Sequence, residues 1–403
     1  MNKENRPLKM VIISFTFNIG SEGYTSYDFA KGLIANGAIV HAIVNRLGEG
    51  VDINLFSGVN KLNLNPRRKG SIVLFNLISD FLALFLALAG YRIVHGTVSN
   101  HFFITSIISR KRFFSWGPAL IQSDLIEYGD ENLLIYGAEP NTFKTIPAVK
   151  HTKKDFFLIC YFTEILSYLV KKTNTLILRR FSLLLAANSY TYDKLHQINP
   201  NTVLIPECVD TCFFEYTDPP NENRLLTYGV MLEHEGHEFA IRSLPKILQT
   251  FPNVSLTILG DGPRRAYLEQ LVKNIGVNNH VKFMGYVNRN EVKRQISQAK
   301  IIILSSLVEE GGISQKECLS AGRPIVASKV RGHIDDIIDG QTGYLVTPGN
   351  YEEIAEAVIK LLKDKHQVYQ MSKNARKIAI DLYDCQVTAK NYILNLKITK
   401  FRE

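Results

Sequence analysis

The chain has 403 residues, 46% hydrophobic and 21% charged, which argues against disorder and gives enough material for two or three domains, each with its own core. Five cysteines, odd in number and scattered, argue against a disulfide framework and fit a reducing compartment. The net charge of +9 lies in the first half: residues 1–200 carry 22 Lys and Arg against 14 Asp and Glu, while residues 201–403 carry 25 against 24.

Such asymmetry points to an anionic partner for the first half: phospholipid headgroups, a phosphorylated lipid or a nucleic acid. Nucleic acid ranks last, because the basic residues are not interleaved with aromatics in any binding module. A merely solvated basic surface is the plain alternative. Cys208 and Cys212 lack a second pair or a nearby histidine cluster, so they read as packing residues and no metal site is expected.

The start, MNKENRPLKMVIISF, has only five apolar residues after its basic head, too few for a signal-peptide core. Residues 10–15 predict a buried strand, Gly20 and Gly23 a turn, residues 24–36 a helix closed by Gly37, and residues 39–44 a second strand. Residues 71–89, SIVLFNLISDFLALFLALA, approach the length of a membrane span but contain Asn76 and Asp80. The strand-like YRIVH that follows favours a buried helix feeding a parallel sheet. Further strands are expected at 93–95, 113–116 and 201–206, with a long helical region over 155–185. The irregular interval 117–154 reads as a binding loop.

A boundary is expected at 216–223, YTDPPNEN, after which βα alternation restarts. Strands are predicted at 225–228, 255–259, 281–283, 301–304, 324–327 and 343–346, with helices at 238–249, 264–274, 291–298 and 313–321 and amphipathic helices from 351 onward. Glycine-marked turns follow four of these strands: Gly229, then Gly260 and Gly262, then Gly285, then Gly311 and Gly312. A row of such turns at the carboxyl ends of parallel strands is where an open α/β sheet binds its ligand.

The most informative turn is EEGGISQKECLSAGRP at 309–324. Glu309 ends a strand, and Glu317 lies about one helical turn beyond Gly312, with its carboxylate expected to face the same crevice. The free N–H groups of Gly312, Ile313 and Ser314 would favour a phosphate at the helix N-terminus. One carboxylate would accept hydrogen bonds from sugar hydroxyls and the other from ribose hydroxyls.

GDGPRRAYLEQL at 260–271, VKFMGYV at 281–287, the Glu309 and Glu317 pair, AGRPIVAS at 321–328 and DGQTGYLVTPGN at 339–350 together resemble the nucleotide-sugar domain of the retaining GT-B glycosyltransferases of family 4. The first half resembles that family's acceptor domain more loosely, through Gly20 to Gly23 and VLIPECVDTCFF at 203–214. The resemblance implies an α/β protein with two doubly wound Rossmann-like domains facing across a cleft. It divides them as 1–215 on the acceptor side, 224–365 on the nucleotide-sugar side, and 366–403 as helices packing back toward the first domain. It implies transfer of a sugar, with retention and without metal or cofactor, from a UDP- or GDP-sugar to a glycan or lipid-linked acceptor. The expected setting is cell-surface polysaccharide, lipopolysaccharide or glycolipid assembly, in the cytoplasm or peripherally on the cytoplasmic membrane face.

Carried over by position, Glu309 would contact the donor sugar and Glu317 the ribose, as the catalytic pair. Gly312, Ile313 and Ser314 would meet sugar and phosphate, the backbone of Gly285 and Tyr286 the base, and Gly229, Gly260, Gly262, Gly20 and Gly23 would supply the remaining close approaches. Two departures stand out. Val230 and Glu235 occupy positions where the family carries an Arg and a Lys that grip the diphosphate, which leaves His234, His237, Arg264, Arg265 and Arg331 as candidate replacements. On the acceptor side FFSWGP at 113–118 has Trp116 where many relatives have His, with His95 and His101 nearby and expected to be structural. Val230 and Glu235 favour the competing reading, a non-catalytic GT-B subunit that binds a glycan or a partner enzyme, whereas Glu309, Glu317 and the glycine turns favour the enzyme. A sugar-nucleotide epimerase fits neither the basic first half nor the two carboxylates as well.

Overall fold

The computed structural model of the protein describes residues 7–17, 20–64, 78–79, 82, 85–86, 93–96, 113–116, 179, 183–309 and 311–400. The chain divides into two compact units, Met1–Ile205 with Ala389–Glu403, and Pro206–Thr388. It passes from the first to the second ahead of the polar stretch 216–223, because Val209 and Phe214 already belong to the core of the second unit.

In the first unit β1 (Lys9–Phe17), β2 (Ile39–Leu47), β3 (Gly58–Lys61), β4 (Ile93–Gly96), β5 (Phe113–Trp116), β6 (Leu183–Ala186) and β7 (Thr202–Leu204) form one sheet. Its order is β3-β2-β1-β4-β5-β6-β7, and every neighbouring pair is parallel. Helix α1 (Gly20–Ala35) crosses from β1 to β2, burying Phe29, Ala30 and Leu33. Gly20 and Gly23 therefore lie in the first turns of α1 and not in a turn before it. Near a helix start the backbone N–H groups have no intrahelical acceptor, so glycine is tolerated there.

Strand β6 corrects the expected helix at its C-terminal end. Its LLLA sequence is buried throughout and pairs with β5 and β7. A short continuous apolar run does not distinguish a buried strand from a buried helix, and here the parallel partners decide. Helix α2 (Ser189–Ile198) links β6 to β7, with Asn188 accepting the Thr191 N–H as its cap. The loop at 117–154, the helical region over 155–182 except residue 179, and His101 lie outside the described residues. Within 71–89, residues 78, 79, 82, 85 and 86 are helical; among the described residues no helix is long and apolar enough to cross a membrane.

The second unit holds β8 (Arg224–Tyr228), α3 (His237–Thr250), β9 (Ser255–Leu259), α4 (Arg265–Asn274), β10 (Val281–Gly285), α5 (Arg289–Gln298), β11 (Ile301–Leu304), α6 (Ile313–Ser320), β12 (Ile325–Ser328), α7 (Arg331–Ile334), β13 (Gly343–Val346), α8 (Tyr351–Lys363) and α9 (Lys365–Ile378). Its parallel sheet has the order β10-β9-β8-β11-β12-β13. Successive strand residues serve opposite faces. Leu225, Leu256, Ile258, Ile301 and Ile303 enter one core, while Leu226, Leu259, Ile302, Leu304 and Ile325 enter the other. A sheet covered on both sides needs such uninterrupted apolar strands.

After α9 a π-helical turn (Ala379–Tyr383) leads into α10 (Cys385–Lys400). Backbone bonds join the two ends of the second unit: Val209 N–H donates to Tyr383 O at 2.8 Å, and Cys385 N–H to Val209 O at 3.1 Å. The rest of α10 belongs to the first unit, where Tyr392 meets Phe29 edge-on with ring centroids 5.4 Å apart.

Candidate functional site

In the second unit strand order reverses between β8 and β11. From β8 the chain winds outward through β9 and β10, then returns to β11 and winds the other way. The loops leaving β8 and β11 must therefore diverge, and the crevice they leave is the expected binding place in an open α/β sheet. The turns after β10, β9, β8 and β11 stand side by side in that order, which places the predicted glycine rim on one end of the sheet.

The rim is closely stacked. A Cβ on Gly260 would lie 1.9 Å from Gly229 O, one on Gly262 would lie 2.8 Å from the Met231 backbone, and one on Gly236 would lie 2.0 Å from Ser305 O. Gly260 N–H donates to Gly285 O at 2.8 Å, and Met231 N–H to Asp261 O at 2.9 Å. Gly285 is the last residue of β10 with φ of 71°, and Tyr286 beyond it is 69% exposed.

At the turn after β11, Gly311 adopts φ of 147° while Gly312 is extended and caps α6 without a side-chain bond. Gly311 alone supplies the special backbone conformation. Gly312 is small for another reason: a Cβ there would sit 3.2 Å from Gln315 Oε1 and 3.6 Å from the Glu309 carboxyl carbon. Glu309 is half-buried; its Oε1 accepts from Gly311 N–H at 3.1 Å and its backbone oxygen from Gly332 N–H at 2.7 Å. A carboxylate thus stands directly before a helix N-terminus whose first N–H groups have no side-chain cap, a place suited to hydroxyl and phosphate oxygens.

Glu317 differs from its sequence expectation. It is 4% exposed, and its Oε2 lies 2.9 Å from the Tyr228 hydroxyl at the end of β8. The same hydroxyl lies 2.8 Å from Ser314 O. Tyr228 therefore ties α6 to the neighbouring strand across the reversal point, and Glu317 is turned onto that strand end. Burial, with Cys318 and Glu317 adding to it, pushes the Tyr228 phenol well above its ordinary value, so the hydroxyl remains protonated.

Helix α6 is buried almost all round although it carries Gln, Lys, Glu and Ser. Each polar group must then find a partner. Gln315 Nε2 donates to Gly332 O at 2.9 Å and Ser320 Oγ to Phe214 O at 2.7 Å. Lys316 Nζ donates to Gly312 O at 3.1 Å and to Asp336 Oδ2 at 2.7 Å. Burial opposes the Lys316 charge, but Asp336 and Glu207 outweigh it and raise the ammonium above its ordinary value. Beside this pair, burial raises the Glu207 carboxyl and lowers the His333 imidazole, whose Nδ1 lies 2.9 Å from Ser328 O.

The loop after β8 carries Val230 and Glu235. Val230 is exposed. Glu235 lies under the Gly229 turn, its Oε2 3.3 Å from where a Gly229 Cβ would be, and its Oε1 is 3.9 Å from His234 Nε2. His237, 2% exposed at the start of α3, has Nδ1 3.3 Å from Thr227 Oγ1, and burial lowers its imidazole to about 4. Two of the candidate cations are engaged elsewhere: Arg264 pairs with Glu238 at 3.5 Å and stacks on Tyr267, while Arg265 bonds Asp261 and Glu269. Among the described residues no group of three or more His, Cys, Asp or Glu could hold a metal ion. Sequence reasoning missed Tyr228, Lys316, Asp336 and His333. For Tyr228 and Lys316 the signal is a polar residue in a buried strand or helix.

Two doubly wound, all-parallel units define the protein as GT-B. Among solved structures, sucrose-phosphate synthase from Thermosynechococcus elongatus matches with a TM-score of 0.70 at 16% identity, over 99% of this chain and 100% of that one. HepE of Anabaena in complex with UDP and glucose matches with a TM-score of 0.67 at 17% identity, over 97% and 99%. The sequence likeness is narrower and is carried by the second unit: residues 210–378 match the family of glycosyl transferases group 1. A glycosyltransferase of Methanocaldococcus jannaschii is 34% identical over 178 residues, 44% of this chain and 45% of that relative, so the chain spans less than half the length of the relative it matches.

Proposed function

We propose that the protein is a retaining glycosyltransferase of family 4 that moves a hexosyl group from a UDP- or GDP-sugar to a glycan or lipid-linked acceptor. The observation that carries this reading is the uncapped N-terminus of α6, preceded by Glu309 and Gly311 at the strand-order reversal of the second unit. Diphosphate departure calls for prearranged N–H groups more than for a nucleophile, and this turn supplies them. Glu309 contacts the donor sugar. Glu317 sits one turn deeper and reaches the ribose only by giving up its Tyr228 contact. The Gly285 and Tyr286 backbone holds the base, while Gly229, Gly260 and Gly262 let it approach the stacked turns.

Residues 1–215 take the acceptor, with Gly20 and Gly23 at the start of α1, where the strand order of the first sheet also reverses. The basic surplus of that half suits an acceptor carrying phosphate at the cytoplasmic membrane face, as in glycolipid, polysaccharide or lipopolysaccharide assembly. Val230 and Glu235 favour a second reading, a non-catalytic glycan-binding subunit. A screen of labelled UDP- and GDP-sugars with a membrane extract as acceptor separates the two. Transfer that Glu309→Ala abolishes supports the enzyme; saturable glycan binding with no nucleotide-sugar turnover supports the subunit.

A further inference from the structure

Glu235 is a half-buried carboxyl group in a place that disfavours its charge. The loop that bears it is clamped to the end of β11, with Leu307 N–H donating to His234 O at 2.7 Å and Ser305 Oγ to Gly236 O at 2.8 Å. This clamp sets the Glu235 side chain between the Gly229 turn and the strand that leads to Glu309. The titratable groups facing it are His234 on its own loop, His237 on α3 and Glu309 beyond β11. Burial lowers both imidazoles, so neither supplies a cation at neutral pH. No lysine or arginine lies within ion-pair distance of Glu235 among the described residues. The Ser306 side chain, close to the carboxyl, opposes the rise that burial imposes on this group but does not cancel it. His237 Nε2 is buried beside the same turn without a partner at hydrogen-bonding geometry, the Gly229 and Val230 backbone being close by.

An ionised Glu235 would repel Glu309 and any diphosphate bound over the stacked glycines. An uncharged one would offer a hydroxyl proton at the same point. We propose that Glu235, in its neutral carboxylic acid form, donates a hydrogen bond to the diphosphate of the nucleotide sugar, filling with an O–H donor a position that has no lysine or arginine beside it among the described residues. This inference rests on the donor-site reading above. Burial, then the Glu309 charge, raises the Glu235 carboxyl to about 7, and the bound diphosphate raises it further.

The sign follows from linkage. Ligand that binds only the protonated form loses affinity as pH rises through the free-protein value. Between about pH 6 and about pH 8.5 a group titrating near 7 weakens binding by about 30-fold. The test is calorimetry of the full chain with UDP-glucose and with GDP-mannose over that range, for the native protein and for Glu235→Gln. Both ligands are diphosphate diesters whose diphosphates carry no group titrating there, so the slope belongs to the protein. The expected result is a native Kd that rises with pH and a Glu235→Gln Kd that stays flat near the native low-pH value. A native Kd independent of pH, one that tightens as pH rises, or a slope that survives in Glu235→Gln overturns the inference while leaving the donor site standing. No binding of either ligand at any pH removes the donor site and this inference together.

Discussion

Replacing Lys316 with Met removes a positive charge from a buried cluster and so measures what holds the α6 turn in place. Lys316 and Asp336 side chains are 3% and 6% exposed, and Nζ also bonds Gly312 O, the carbonyl of the residue that opens the helix. In Lys316→Met the Asp336 carboxylate keeps the Tyr383 hydroxyl but stands near Glu207 and Glu309 with no cation. Breaking one side of such a pair costs about 3–5 kcal/mol, because the partner charge stays buried. The two units need not unfold together, so the assay is native-state hydrogen exchange of the amides of α6 and β12. There the loss appears as a fall in protection of roughly several hundred-fold. The double variant Lys316→Met with Asp336→Leu recovers most of the protection, since two apolar residues of similar volume leave no charge stranded. Protection within twofold of native in the single variant, or a double variant as damaged as the single, refutes the reasoning.

Glu309→Ala is expected to cut nucleotide-sugar turnover by about a hundredfold or more, as for other groups aimed at a reacting centre, with the melting temperature unchanged. Glu317→Ala instead lowers both turnover and stability, the latter by about 1.5–3 kcal/mol for the lost hydrogen bond to a charged group, although the Tyr228 hydroxyl keeps Ser314 O, and Glu317→Gln restores stability first. Gly260→Ala is expected to abolish folding of the second unit by circular dichroism, because its Cβ would enter Gly229 O; Gly276→Ala has open space and costs only about 1 kcal/mol of backbone strain. His237, held near 4 by burial, makes the start of α3 less stable as pH falls from the ordinary imidazole value toward 4. The loss is about 3 kcal/mol, read as exchange protection against pH, and is absent if the ring is already charged at neutral pH.

Much of the second unit was legible because its strands are uninterrupted apolar runs and its turns are marked by glycine. Ser255–Leu259, Ile301–Leu304 and Gly343–Val346 lie where alternation and turn chemistry place them. The first unit was less so. Leu183–Ala186 reads as helix or strand until its parallel partners are known, and α1 starts at Gly20 because helix starts tolerate glycine. At the site, the glycine row announced the rim, but spacing could not show which way Glu317 points. Tyr228, distant in sequence, decides that the Glu317 carboxylate meets β8. Nor could spacing pair Lys316 with Asp336. A lysine inside an apolar helix face requires a buried counter-charge, yet its identity depends on how α7 packs against α6. Glu235 was visible as a departure from the family pattern; that no lysine or arginine among the described residues pairs with it is a property of the folded loop.

The most direct measurement is hydrogen exchange of the full chain with and without saturating UDP-glucose or GDP-mannose. Binding at the strand-order reversal of the second unit predicts slower exchange at 311–315, 229–237 and 285–287, with α8 and α9 unchanged. Saturable binding that leaves 311–315 unprotected, or that protects a surface away from these turns, contradicts it.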